Sequence, residues 1–192
     1  TGEYIRFNVN INLNWPDDTT TASTNAETEN NVDLMCILSL PTTYSASDLN
    51  NPTPLIMFCH GASSQITEDK WYTGSNSFYN FIRTFTNAGY AVFDVNNTRN
   101  RTGGFNDWGS LPLMAAYIKA WQYIKKHYNV SENLYLLSDS MGTAASLNML
   151  KWYGSEVIAA LQTAPRPMGC ALRSTTVTDV NTLIRMYVAW GL

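Results

Sequence analysis

Charge is scarce in these 192 residues: 14% are Asp, Glu, Lys or Arg, and the net charge is −3. So few cations leave no basic footprint for nucleic acid, and no nucleic-acid partner is expected. Histidine occurs only at His60 and His127, and no Cys-x-x-Cys pair is present. Two separated histidines do not make a zinc site, so no metal is expected. A Gly-x-x-x-x-Gly-Lys loop is missing as well, and Gly103-Gly104 alone does not argue for phosphate; no cofactor is expected. No apolar run approaches the length of a membrane span. The three cysteines, Cys36, Cys59 and Cys170, cannot form an even disulfide framework. Cys36 and Cys59 sit in apolar strands and read as buried hydrophobes, leaving Cys170 to pair elsewhere or stay a free thiol. The chain opens with neither Met nor a charged leader region, so it reads as processed or cut from something larger.

What is present is a core. Hydrophobic residues make up 45% of the chain, enough to build one real domain, and repeats and linkers are missing from residues 1–192. The polar bulk is 20 Asn and 21 Thr against 12 Lys plus Arg, a composition that leans toward an extracellular, cell-surface or virion protein. Asn96, Asn100 and Asn129 begin glycosylation sequons, relevant only if the source glycosylates.

Periodicity gives an α/β architecture. Ile5, Phe7, Val9, Ile11 and Leu13 alternate with Arg6, Asn8, Asn10, Asn12 and Asn14, which predicts a half-buried antiparallel strand. Residues 17–31 read as an exposed loop, 32–40 as the next strand and 42–53 as a polar loop. A strand through Cys59 follows, then a helix over 77–88 stopped by Gly89, a strand at 90–95, and a Gly- and Asn-rich loop at 96–110. A helix over 111–127, a strand at 134–137, a helix to Tyr153 ended by Gly154, and a strand at 157–161 complete the alternation. Such alternation predicts a mostly parallel, twisted sheet with helices on both faces and an antiparallel N-terminal edge. Strand 134–137 should lie centrally, between the strand ending at Cys59 and strand 157–161.

Two motifs carry chemistry. The run from Leu134 to Ala145 is an apolar strand, a Ser138-Asp139-Ser140-Met141-Gly142 turn and an Ala-rich helix start. Small-x-Ser-x-Gly between strand and helix holds a serine hydroxyl out of the sheet, with the helix N-terminus adding positive potential. Upstream, Pro54 to Cys59 is a buried strand breaking into His60-Gly61-Ala62-Ser63. Over roughly residues 32–165 the two motifs together resemble the α/β-hydrolase superfamily, with Ser138 where the first glycine usually stands. The resemblance implies that Ser140 is a nucleophile, and that the N–H groups of Ala62 (or Ser63) and Met141 form an oxyanion hole.

The tail departs from that pattern. An α/β-hydrolase orders its triad as Ser, then Asp or Glu, then His. Here no His follows His127, and residues 180–192 read as an amphipathic helix. The expectation is an N-terminal portion of the fold, with about 168–192 a cap or lid segment. Acid and base would then come from a C-terminal remainder of the same protein or a second chain. His60 is more simply a structural group under its turn than a base, and His127 a cation at a helix C-terminus. Asp94 ends a strand but precedes the nucleophile, Asp139 lies beside it, and Asp179 is better placed at a helix start. Asp107, Trp71 and Trp108, with Ser63, are candidate substrate contacts. The expected activity is that of a serine hydrolase acting on a carboxylic ester, such as an acylated glycan. A peptidase of the same superfamily, or a non-catalytic binding or structural module of a surface or virion protein, are the alternatives.

Overall fold

The structure, a computed structural model, describes residues 4–12, 31–61, 66, 77–96 and 109–163. Six strands form one sheet: β1 (Tyr4–Asn12), β2 (Asn31–Ser39), β3 (Thr53–Cys59), β4 (Ala91–Val95), β5 (Val130–Asp139) and β6 (Val157–Thr163). Their order is β1-β2-β4-β3-β5-β6, with the last four parallel and β2 antiparallel to both β1 and β4. The helices are α1 (Ser77–Asn87), α2 (Leu111–His127) and α3 (Gly142–Tyr153), each lying between two of the parallel strands in sequence. This is the mostly parallel sheet with an antiparallel edge that the alternation predicts, and β5 sits between β3 and β6.

Side-chain alternation divides the core into two layers. Leu55, Met57 and Cys59 of β3 pack with Tyr117, Trp121 and Ile124 of α2 and Met149 of α3, whereas Ile56 and Phe58 pack with Ile82 of α1. Helices therefore cover both faces. In β1, Val9 and Ile11 are buried while Arg6, Asn8 and Asn10 face solvent; Leu13 and Asn14 lie outside the described residues. Gly89 stops α1 as predicted: its φ is +91°, its N–H reaches the Thr86 carbonyl, and the Tyr90 N–H reaches that of Phe85. That left-handed residue closes the orphan carbonyls of the last turn.

One boundary differs clearly from expectation. Strand β5 begins at Val130, which pairs with Thr53, and the polar Ser131, Glu132 and Asn133 form an irregular stretch before pairing resumes at Leu134. A register shift opposite Thr53 and Leu55 marks that polar end. Helix α3 ends at Tyr153 as expected, and Gly154, with φ −61°, opens a 3-10 turn leading into β6. Among the described residues no helix is long and apolar enough to cross a membrane.

Candidate active site

Strand β5 delivers its chain to a turn at Ser140, and α3 starts two residues later. Ser140 has φ +49°, and no other non-glycine among the described residues has a positive φ. A left-handed backbone costs an L-residue about 1–2 kcal/mol, so the turn is held against strain. What holds it is a set of backbone bonds: the Ser140 N–H donates to the Thr163 carbonyl at 3.1 Å, and the Thr143 N–H donates to the Ser140 carbonyl at 3.2 Å. Replacing Ser140 by glycine relieves the strain but loosens the unfolded chain, for a net expected gain of about 0.5–1 kcal/mol. Thermal unfolding of Ser140→Gly checks this; a lower midpoint would mean that the turn is unstrained.

Glycines flank the turn because backbone passes close on both sides. A β-carbon built on Gly142 would lie 2.0 Å from the Cys59 carbonyl oxygen and 2.7 Å from that of His60. On Gly61 it would lie 3.3 Å from the Ser140 β-carbon and 3.0 Å from Asp139 Oδ2. The ends of β3 and β5, register partners through Cys59 and Ser138, thus bring the His60-Gly61 turn against Ser140.

Met141 is buried, and its backbone N–H takes no backbone partner among the described residues. Ala62, Ser63, Trp71, Asp107 and Trp108, as well as Cys170, Asp179 and the 168–192 segment, lie outside the described residues. Asp139 accepts a hydrogen bond from the Thr163 hydroxyl at 3.0 Å, which ties the turn to the end of β6. His127 is exposed at the end of α2, its ring 4.3 Å from that of Tyr123. Of the sequon asparagines, Asn129 donates through its Nδ2 to the Ser45 and Asp48 carbonyls, and Asn96 accepts from the Ile66 N–H. Cys36 and Cys59 are free and buried; burial pushes both thiols up and the charge of Asp94 adds to it.

A buried polar network lies directly beneath the turn. His60 (4% exposed) donates from Nδ1 to Asp94 Oδ2 at 2.8 Å, and Asp94 is wholly buried. Asp94 Oδ1 accepts from the Tyr117 hydroxyl at 2.8 Å and from the Val95 N–H at 2.7 Å. The same tyrosine hydroxyl lies 3.2 Å from the Phe58 carbonyl, a weaker share of its single proton. Sequence reasoning did not assemble this group. The signal was an aspartate inside the apolar run Ala91-Val92-Phe93-Asp94-Val95, since a buried carboxylate must be paired.

Burial pushes the Asp94 carboxyl above its ordinary range; the charge of His60 and the donors from His60, Tyr117 and Val95 oppose this without cancelling it. A carboxyl with a raised folded pKa binds its proton more tightly folded than unfolded. The stability of the wild type relative to Asp94→Asn is therefore expected to be greatest below the unfolded carboxylate value, about pH 4, and to fall as pH rises through the raised value. Urea titrations across the acid range check the sign. A difference that grows with pH would mean that the hydrogen bonds outweigh burial.

The fold is α/β-hydrolase-like. It is similar to FphF, a fluorophosphonate-binding serine hydrolase of Staphylococcus aureus, with a TM-score of 0.61 over 93% of this chain. It is also similar to a dipeptidyl aminopeptidase IV-like protein of Bacteroides ovatus (TM-score 0.57 over 85%) and to the S-formylglutathione hydrolase FrmB of S. aureus (0.52 over 82%). Identity is 15% in each case, so the likeness is one of fold. The chain spans 63% of FphF, 21% of the Bacteroides protein and 55% of FrmB. No protein-family model and no curated protein matches the sequence.

Proposed function

We propose that this chain carries the nucleophile and oxyanion hole of a serine hydrolase acting on a carboxylic ester. The observation that carries the reading is Ser140: a serine at φ +49° between a parallel strand and a helix, with glycine backbone packed on both sides. Its hydroxyl attacks the acyl carbonyl, the alcohol leaves, and water releases the acyl group from Ser140. The Met141 N–H, at the start of α3 and without a backbone partner among the described residues, is one oxyanion donor. The Ala62 N–H, next to Gly61, where an added β-carbon would meet Ser140, is the other. Ser63, Trp71, Asp107 and Trp108 are proposed to line the substrate side.

The base is proposed to come from polypeptide outside these 192 residues. His60 commits its Nδ1 side to Asp94 below the turn, and His127 lies tilted against Tyr123 at a helix end. Ile158 and Leu161 of β6, the edge strand of the described sheet, are 51% and 56% exposed, apolar surface on which further polypeptide can pack. A serine hydroxyl with no base within about 3 Å is a poor nucleophile, because proton removal is part of the attack. The 192-residue chain alone is accordingly expected to hydrolyse p-nitrophenyl acetate at background. A longer natural polypeptide supplying a third histidine should restore turnover. Robust turnover by the 192 residues, lost on His60→Ala, would make His60 the base. A longer polypeptide that stays inert toward esters would favour the binding-module reading, and one that cleaves only peptides the peptidase.

A further inference from the structure

We infer that Tyr117, Asp94 and His60 form a positioning clamp that fixes the His60-Gly61 turn against Ser140, so that α2 sets the geometry of the oxyanion site. This rests on the reading of Ser140 as the nucleophile. Three elements meet in the clamp: Tyr117 from α2, Asp94 from β4 and His60 from the end of β3. The links are short, 2.8 Å from Tyr117 to Asp94 Oδ1 and 2.8 Å from His60 to Asp94 Oδ2. All three residues are almost wholly buried, so neither bond exchanges readily with water.

The clamp acts on the site through one residue of chain. Gly61 follows His60 directly, and a β-carbon there would meet the Ser140 β-carbon at 3.3 Å and Asp139 Oδ2 at 3.0 Å, so the turn runs close to Ser140. The proposed donor Ala62 comes next. Anchoring the His60 ring from below removes the freedom of the turn to slide along β5. A displacement of about 1 Å at a catalytic donor is enough to cost on the order of 10²-fold in rate. Conformational specificity also explains the composition of the network. A buried carboxylate with its partners is seldom more stabilising than apolar packing of the same volume, so its presence here fits a need for fixed geometry.

The roles of His60 as clamp and as base lead to opposite outcomes. In the clamp His60 acts through its Nδ1–H, the atom bonded to Asp94. Asparagine places an N–H donor close to where Nδ1 stands and has nothing in place of Nε2. The test uses the longest natural polypeptide carrying these residues, with kcat and KM for an aryl acetate and a thermal midpoint measured for each variant. Tyr117→Phe, which keeps the ring and removes only the hydroxyl, is expected to lower kcat about tenfold or more while KM stays within about twofold. His60→Ala should lower kcat by about 10²-fold, and His60→Asn should recover most of that loss.

An unchanged kcat in Tyr117→Phe, whatever happens to its thermal midpoint, would overturn the clamp and leave Tyr117 a packing residue. His60→Asn as inactive as Ser140→Ala would also overturn it, making His60 the base. Ser140→Ala separates the two layers of inference. If that variant keeps its activity, the nucleophile reading fails, whatever the Tyr117 and His60 variants do. If it is inactive while Tyr117→Phe matches wild type, only the clamp fails.

Discussion

Ser140→Ala is expected to reduce ester turnover by about 10⁴-fold or more in a polypeptide that contains the base, without a matching loss of stability. The size of the effect follows from covalent catalysis. Without Oγ no acyl-enzyme forms, and what remains is the modest acceleration from oxyanion donors and binding. The absence of a stability cost follows from the backbone. Alanine keeps a β-carbon at φ +49°, so strain is unchanged, and the backbone bonds to Thr163 and Thr143 do not involve the hydroxyl. A change in unfolding free energy within about 0.5 kcal/mol is expected. Steady-state kinetics beside a urea titration tests both halves. Activity lost together with the cooperative transition would mean that Ser140 is a structural residue.

Gly142→Ala should have the largest effect on folding. Its β-carbon would lie 2.0 Å from the Cys59 carbonyl oxygen and 2.5 Å from the carbonyl carbon, atoms of the central strand β3 rather than of a yielding side chain. Relief requires α3 to move away from the sheet, and α3 buries Ala145 and Met149 in the core there. Opening that contact loses packing that a core of native density cannot restore elsewhere. A loss of about 4 kcal/mol or more is expected, which in a domain of ordinary stability leaves little folded protein. Equilibrium unfolding of the purified variant measures it. A loss below about 1 kcal/mol would show that helix and strand are not in the contact described.

Much of the fold was legible because its signals are local. Apolar runs at β3 and β4 (the second interrupted only by Asp94), alternation in β1 and helical spacing in α1 each answer to a single periodicity, and together they dictate the parallel order. The polar start of β5 was not legible, since only Val130 pairs there and Ser131 to Asn133 form an irregular stretch with no apolar side-chain pattern. The candidate site divides in the same way. Ser140 and its glycines could be read because a strained turn restricts residue types at fixed offsets. The Tyr117–Asp94–His60 network could not, because its members are 23 and 34 positions apart and only the fold brings them together. A lone aspartate in an apolar strand announces that a partner exists, but not which one.

The central claim is that Ser140 is an activated nucleophile, and a fluorophosphonate tests it most directly. In labelling, the Ser140 oxygen bonds to phosphorus, fluoride leaves and the hydroxyl proton passes to the base, so the probe reports activation without assuming a substrate. The longest natural polypeptide carrying these residues would be treated with an alkyl fluorophosphonate, digested, and its adduct located by tandem mass spectrometry. The account predicts a single stoichiometric adduct on Ser140, absent from Ser140→Ala. An adduct on a different serine, or ester turnover by a protein whose Ser140 stays unlabelled, would contradict it.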